Sequence, residues 1–148
     1  MGKTFGQIIR GWFVPQGGGE PEQLRLALEI ESPRASQLLR RRPLPATGWI
    51  SFGTRAKEAP LTTAMVFVRS QLGLTISYDI SFFGSDAARY RLRGDTQIGL
   101  FVWPEFVSPM DAQVFRDGLL NGMARLTFRR FELQRSLLNM LVPDVLKP

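Results

Sequence analysis

The sequence predicts a mainly β domain, an antiparallel meander that closes as a lipocalin-like barrel or folds as a sandwich, with two short helices attached. Three observations carry this expectation. Apolar and polar residues alternate with a period of two in several separate stretches, the pattern of a strand with one buried face. Turn-forming residues punctuate those stretches at short intervals. Helical spacing of apolar residues is confined to two short segments.

Residues 5–14 read as the first strand, broken by Pro15 and Gly17-Gly18-Gly19. That glycine run has neither the spacing and lysine of a P-loop nor a G-x-G-x-x-G opening, so it reads as a connection and not as a phosphate cradle. In residues 23–31, Leu24, Leu26, Leu28 and Ile30 alternate with more polar neighbours, which defines a half-buried strand. Ser32-Pro33 then reads as a cap and first residue of a helix near 33–40, with Leu38 and Leu39 packing down. Arg40-Arg41-Arg42 before Pro43 suits the negative end of that helix, so the basic run has a structural reason to exist. Further strands are expected at 48–53, 61–70 and 73–83; in the last, Leu74, Ile76, Tyr78, Ile80 and Phe82 share one face.

Gly84-Ser85-Asp86 turns the chain into Arg89-Tyr90-Arg91-Leu92-Arg93, which puts Tyr90 and Leu92 opposite three arginines. A three-residue loop would pair Tyr90 with Ile80, Leu92 with Tyr78 and Asp79 with Arg91, leaving Ser77 and Ser81 across from Arg93 and Arg89. Residues 108–128 carry competing signals. Ser108-Pro109-Met110-Asp111 resembles a helix start, whereas Asp117-Gly118 signals a hairpin. The alternation of Ala124, Leu126 and Phe128 decides for the hairpin, because that strand needs a partner and the segment before Asp117 supplies one. Leu133, Leu137 and Met140 or Leu141 then recur at helical spacing up to Pro143, predicting a C-terminal helix near 130–141. No linker or repeat divides residues 1–148, so a single domain is expected.

The order of these pieces resembles an accessory region of cholesterol-oxidase-like members of the glucose-methanol-choline flavoprotein oxidoreductases, outside their flavin-binding part. The likeness runs over roughly residues 5–141. It rests on the strand from Leu24 to Ile30 with the helix after it, then Gly48-x-Ile50-x-Phe52, Tyr78-x-Ile80-x-Phe82 with Gly84, Tyr90-x-Leu92-x-Gly94, and the strand from Ala124 to Phe128. It departs from that region at Asp95-Thr96-Gln97, where a lysine is usual, and the flavin fingerprint is missing. The resemblance implies a β-rich companion module near sterol or lipid chemistry, without oxidase activity or bound FAD.

Composition narrows the chemistry. The 148 residues include no cysteine and no histidine, which removes thiolate metal sites, disulfides, the commonest metal ligand and the commonest general base near neutral pH. The expectation is therefore no enzyme, no catalytic residue, no metal site and no cofactor. Asp79 or Asp95 beside Tyr78 or Tyr90 are the only acid–base partners the sequence nominates. The net charge of +6 comes mostly from arginine and reads first as the solvated face of a sheet, so a nucleic-acid partner is disfavoured. The first residues lack a signal-peptide pattern and no stretch is long enough for a membrane span, so a soluble cytoplasmic protein is expected.

The expected function is non-catalytic binding of a small hydrophobic ligand, lipid-, fatty-acid- or sterol-like, inside the barrel. Its candidate walls are Leu28, Ile50, Phe52, Phe67, Tyr78, Ile80, Phe82, Tyr90, Leu92, Leu126 and Phe128. The alternative is a protein-interaction or homodimerising module using arginine and Trp12, Trp49 or Trp103 on an exposed face.

Overall fold

The computed structural model describes residues 4–31, 43–70, 74–98 and 109–128. These form eight antiparallel strands: β1 (Thr4–Pro15), β2 (Glu22–Glu31), β3 (Leu44–Phe52), β4 (Ala56–Ser70), β5 (Leu74–Phe83), β6 (Arg89–Ile98), β7 (Met110–Arg116) and β8 (Leu119–Phe128). Each strand pairs with the next and β8 pairs back with β1, so the sheet is a closed barrel and not a sandwich. The described residues contain no helix. The helices expected near 33–40 and 130–141, and Trp103, fall outside the described residues.

The hairpin at Asp117-Gly118 is present, with both turn residues at positive φ (49° and 85°), the backbone of a tight two-residue turn. Strands β3 and β4 begin earlier than the alternation predicts, at Leu44 and Ala56. The physical reason is irregular pairing. The β3–β4 register shifts between Pro45 and Trp49 and again between Ile50 and Phe52, and Glu58 sits at φ 44°, so the period of two is broken where a reader of the sequence would look for it.

The β5–β6 register corrects the predicted one. Ile80 pairs with Leu92, Phe82 with Tyr90, Asp79 with Arg93 and Ser81 with Arg91. The loop spans five residues, 84–88, because the Gly84 amide donates to the Ala88 carbonyl at 3.0 Å and Asp86 Oδ1 accepts from the Ala88 amide at 3.1 Å. The offset changes by an even number, so every side chain keeps the face it was assigned. Arg91 still reaches Asp79, along the diagonal, with Nε and Nη2 donating at 2.8 and 2.6 Å, while Arg93 Nε stands 3.8 Å away.

The pairings fix the stagger of the barrel. Stepping from Phe5 through Ile30, Ala46, Ala64, Ile80, Leu92, Val114 and Gly122 returns to β1 at Pro15, ten residues beyond the start; the Ala46–Ala64 step continues the Leu44–Val66 register. Eight strands with such a stagger incline at roughly 35–45° to the axis and enclose a lumen that side chains can fill. Gly11 shows how tightly the wall coils, for a β-carbon there would overlap the Arg125 carbonyl oxygen on β8.

Candidate functional site

Ten of the eleven predicted wall residues point into the barrel and are buried, from Ile50 at 0% exposure to Phe128 at 8%. Phe67 is the exception. It lies on the outer wall opposite Ser77, while Val66 and Val68 take the inward positions. Met65-Val66-Phe67-Val68 is apolar throughout, so alternation had no polar residue with which to choose a face.

The lumen is bridged by side chains at two levels. Towards the pole formed by the turns at 16–21, 53–55, 84–88 and 117–118, the rings of Phe13 and Phe52 meet at 4.9 Å, Phe52 and Tyr90 at 6.1 Å, and Phe82 stacks on Tyr90 at 5.3 Å. Arg55, in the β3–β4 turn, lays its guanidinium over Phe13, Phe52 and Tyr90 at 4.9, 5.5 and 6.0 Å. It donates to Glu22 at 3.0 Å and to Asn121 Oδ1 at 2.6 Å, and its carbonyl accepts the Ser85 amide at 2.7 Å. Arg55 thus joins its own turn to the starts of β2 and β8 through its side chain and to the 84–88 turn through its carbonyl, over an aromatic layer, and caps this pole.

Deeper in, the Tyr78 hydroxyl donates to Gln7 Oε1 at 2.8 Å, and the Tyr78 ring lies 5.7 Å from Phe128. Tyr78 is on β5 and Gln7 on β1, four strands apart in either direction round the ring, so this bond crosses the lumen. Burial pushes the Tyr78 hydroxyl well above its ordinary pKa. Among the described residues, Thr96 is a further buried polar side chain, pointing inward by the alternation of β6. Sequence reasoning missed Gln7 and Arg55. Gln7 shares the inward parity of Ile9 and Phe13, which is a usable signal; Arg55 had none, because its partners lie 33 and 66 residues away.

The nominated acid–base pairs are not brought together. Tyr78 and Tyr90 face the lumen, whereas Asp79 and Asp95 face out, and Asp79 is held by Arg91, whose hydrogen bonds lower its pKa. Among the described residues no cluster of three or more histidine, cysteine, aspartate or glutamate side chains could hold a metal ion.

Among the described residues the outer wall carries a broad and a smaller concavity. A broad one of about 950 Å³ lies over β4 to β8 and is lined by Phe67, Arg69, Asp79, Arg93, Asp111 and Gln113 among others; a smaller one of about 310 Å³ lies between Ile8, Ala27 and Trp49. Arg25 stacks 5.5 Å from the Trp49 ring. Beside these, at the capped end of β1 and β8, large apolar side chains stand in solvent: Trp12 is 53% exposed, Leu119 76%, and Val14, Met123 and Leu120 are also exposed. Val14 pairs directly with Met123 and Trp12 with Arg125, so Trp12, Val14 and Met123 form one patch, and Leu119 and Leu120 follow the β7–β8 turn at the same end. Charged residues on every side of the barrel, such as Arg25, Glu29, Arg69 and Asp95, separate this wall from the continuous apolar band of a membrane-spanning barrel. No described helix is long and apolar enough to cross a membrane.

Comparison with known proteins finds no matching family model, no matching curated sequence and no matching solved structure.

Proposed function

We propose that this chain is a non-catalytic docking module that binds its partner through the outer wall at the capped end of β1 and β8. The observation that carries the reading is the contrast between the two faces of the same strands. Inside, aromatic rings and the Gln7–Tyr78 bond span the lumen; outside, Trp12, Val14, Leu120 and Met123 leave apolar surface in water. Contiguous exposed apolar surface of this kind marks interaction sites in folded proteins.

A second reading is favoured by the buried Gln7–Tyr78 pair. A small hydrophobic molecule with one hydrogen-bonding group would displace one partner and bond the other. Titration with the dye ANS separates the two. On the docking reading a saturable signal is lost in Val14→Ser with Met123→Ser and persists in Tyr78→Phe. A signal indifferent to the outer substitutions and abolished by Tyr78→Phe overturns docking in favour of the lumen.

A further inference from the structure

We infer that Asn121–Gly122 is a site of spontaneous deamidation and that the Arg55 cap controls it. The fold itself dictates half of this dipeptide. A β-carbon at Gly122 would overlap the Val14 carbonyl oxygen and the Phe13 ring, so the seam where β8 closes on β1 admits glycine alone there. Asn121, half-buried beside it, accepts from Arg55 Nη1 through Oδ1 at 2.6 Å. Glycine presents its backbone nitrogen with no side chain in the way, and the asparagine before it supplies an electrophilic amide carbon. No other asparagine precedes a glycine in the 148 residues.

The reaction is a cyclisation followed by hydrolysis. The Gly122 nitrogen gives its proton to solvent base and attacks Asn121 Cγ; the new N–Cγ bond forms as the Cγ–Nδ2 bond breaks, and ammonia departs to leave a succinimide. Water then opens the ring at either carbonyl, giving aspartate or isoaspartate, and nothing is oxidised or reduced. In the closed barrel both reacting groups are fixed. Arg55 holds the amide, and the Gln16 amide donates to the Asn121 carbonyl at 2.9 Å, which pins the peptide plane that contains the Gly122 nitrogen. The ring forms only when side chain and peptide are released to turn toward each other.

That release depends on Arg55. Asn121 is the extra residue of a bulge, since Val114 pairs with Gly122 and Phe115 with Leu120, so no β7 residue pairs with it directly. Its side chain is held by a guanidinium that is itself anchored by Glu22 and by the rings of Phe13, Phe52 and Tyr90. Opening the cap frees the amide, and the rate of cyclisation follows the population of that open state. The two products act in opposite directions. Aspartate at 121 offers Arg55 a carboxylate in place of an amide oxygen and tightens the cap. Isoaspartate lengthens the main chain and takes Gly122 out of register with Pro15 and Val114, which loosens the seam. Because the amide is not restored, the modified fraction records the time this pole has spent open.

Peptide mapping by mass spectrometry of the full chain, sampled during incubation in mildly alkaline buffer, tests this, with isoaspartate read separately by isoaspartyl methyltransferase labelling. Conversion at Asn121 to both products is expected. Arg55→Met, its fold verified by circular dichroism, accelerates that conversion by about ten-fold or more, whereas Tyr78→Phe, which leaves the cap in place, changes it by less than about two-fold. Arg55→Lys keeps the charge and loses the fork, so its rate falls between wild type and Arg55→Met, and it decides the matter should Arg55→Met not fold. Equal rates at Asn121 in wild type and in the Arg55 variants overturn control by the cap. Equal acceleration by Tyr78→Phe overturns it too, because the reaction then requires unfolding of the whole barrel. An Asn121 that stays intact in the urea-unfolded chain over the same time overturns the site itself.

Discussion

The hydrogen bond from Tyr78 to Gln7 ties opposite walls of the barrel, and a double-mutant cycle measures it. The two residues are 71 positions apart in the chain and lie on strands with no ladder between them, so only closure of the sheet brings them to 2.8 Å. Tyr78→Phe keeps the ring and its contact with Phe128 but leaves the buried Gln7 oxygen without this donor, which costs about 1–2 kcal/mol. Gln7→Met keeps the length of the side chain and leaves the buried hydroxyl without its acceptor, at a similar cost of about 1–2 kcal/mol. With both replaced, neither side of this bond is left without the other. The double variant should therefore be less destabilised than the sum of the singles, by a coupling of about 1–2 kcal/mol. Urea unfolding followed by tryptophan fluorescence gives the free energies by linear extrapolation, and in a chain of this size each kcal/mol also moves Tm by roughly 2–4 °C. Single effects that add to within about 0.5 kcal/mol would refute the cross-lumen bond, and with it this account of how the interior is filled.

Two further outcomes follow from the same geometry. Replacing Arg55 with Met removes the bonds to Glu22 and Asn121 and the guanidinium contacts with three rings while keeping an apolar stem over them; a loss of about 2–4 kcal/mol is expected, with the 53–55 turn and the starts of β2 and β8 losing amide-exchange protection first, and protection lost equally throughout the barrel would contradict a local cap. The carboxylates of Asp79, bonded by Arg91, and Asp86, bonded first by the Ala88 amide and then by the Tyr90 hydroxyl and Arg116, both titrate below the usual range. A depressed carboxylate stabilises the fold above its unfolded pKa, near 3.9, and that contribution fades as the pH falls through the lower folded value, so acid unfolding of Asp79→Asn should be shallower than wild type over that window; identical acid profiles would show that the Asp79 pair adds nothing to stability.

The strand pattern was legible because burial on one face of a pleated sheet leaves a period of two in the sequence, and this assigned Ile80, Phe82, Leu92 and Leu126 to the interior without coordinates. The same logic failed at Phe67, where four consecutive apolar residues carry no parity, and at the start of β4, where shifted pairing erases it. The β5–β6 faces were readable while the offset was not, since alternation fixes only whether an offset is even or odd and the five-residue loop selects among even ones. Closure as a barrel, the bond from Gln7 across to Tyr78, and the convergence of Arg55 on Glu22, Asn121 and three rings were decided by tertiary structure alone. Side-chain burial is a local record, written every second residue, whereas the stagger that closes a ring of eight strands is the accumulated sum of every register and bulge around it, and no single stretch of sequence contains that sum.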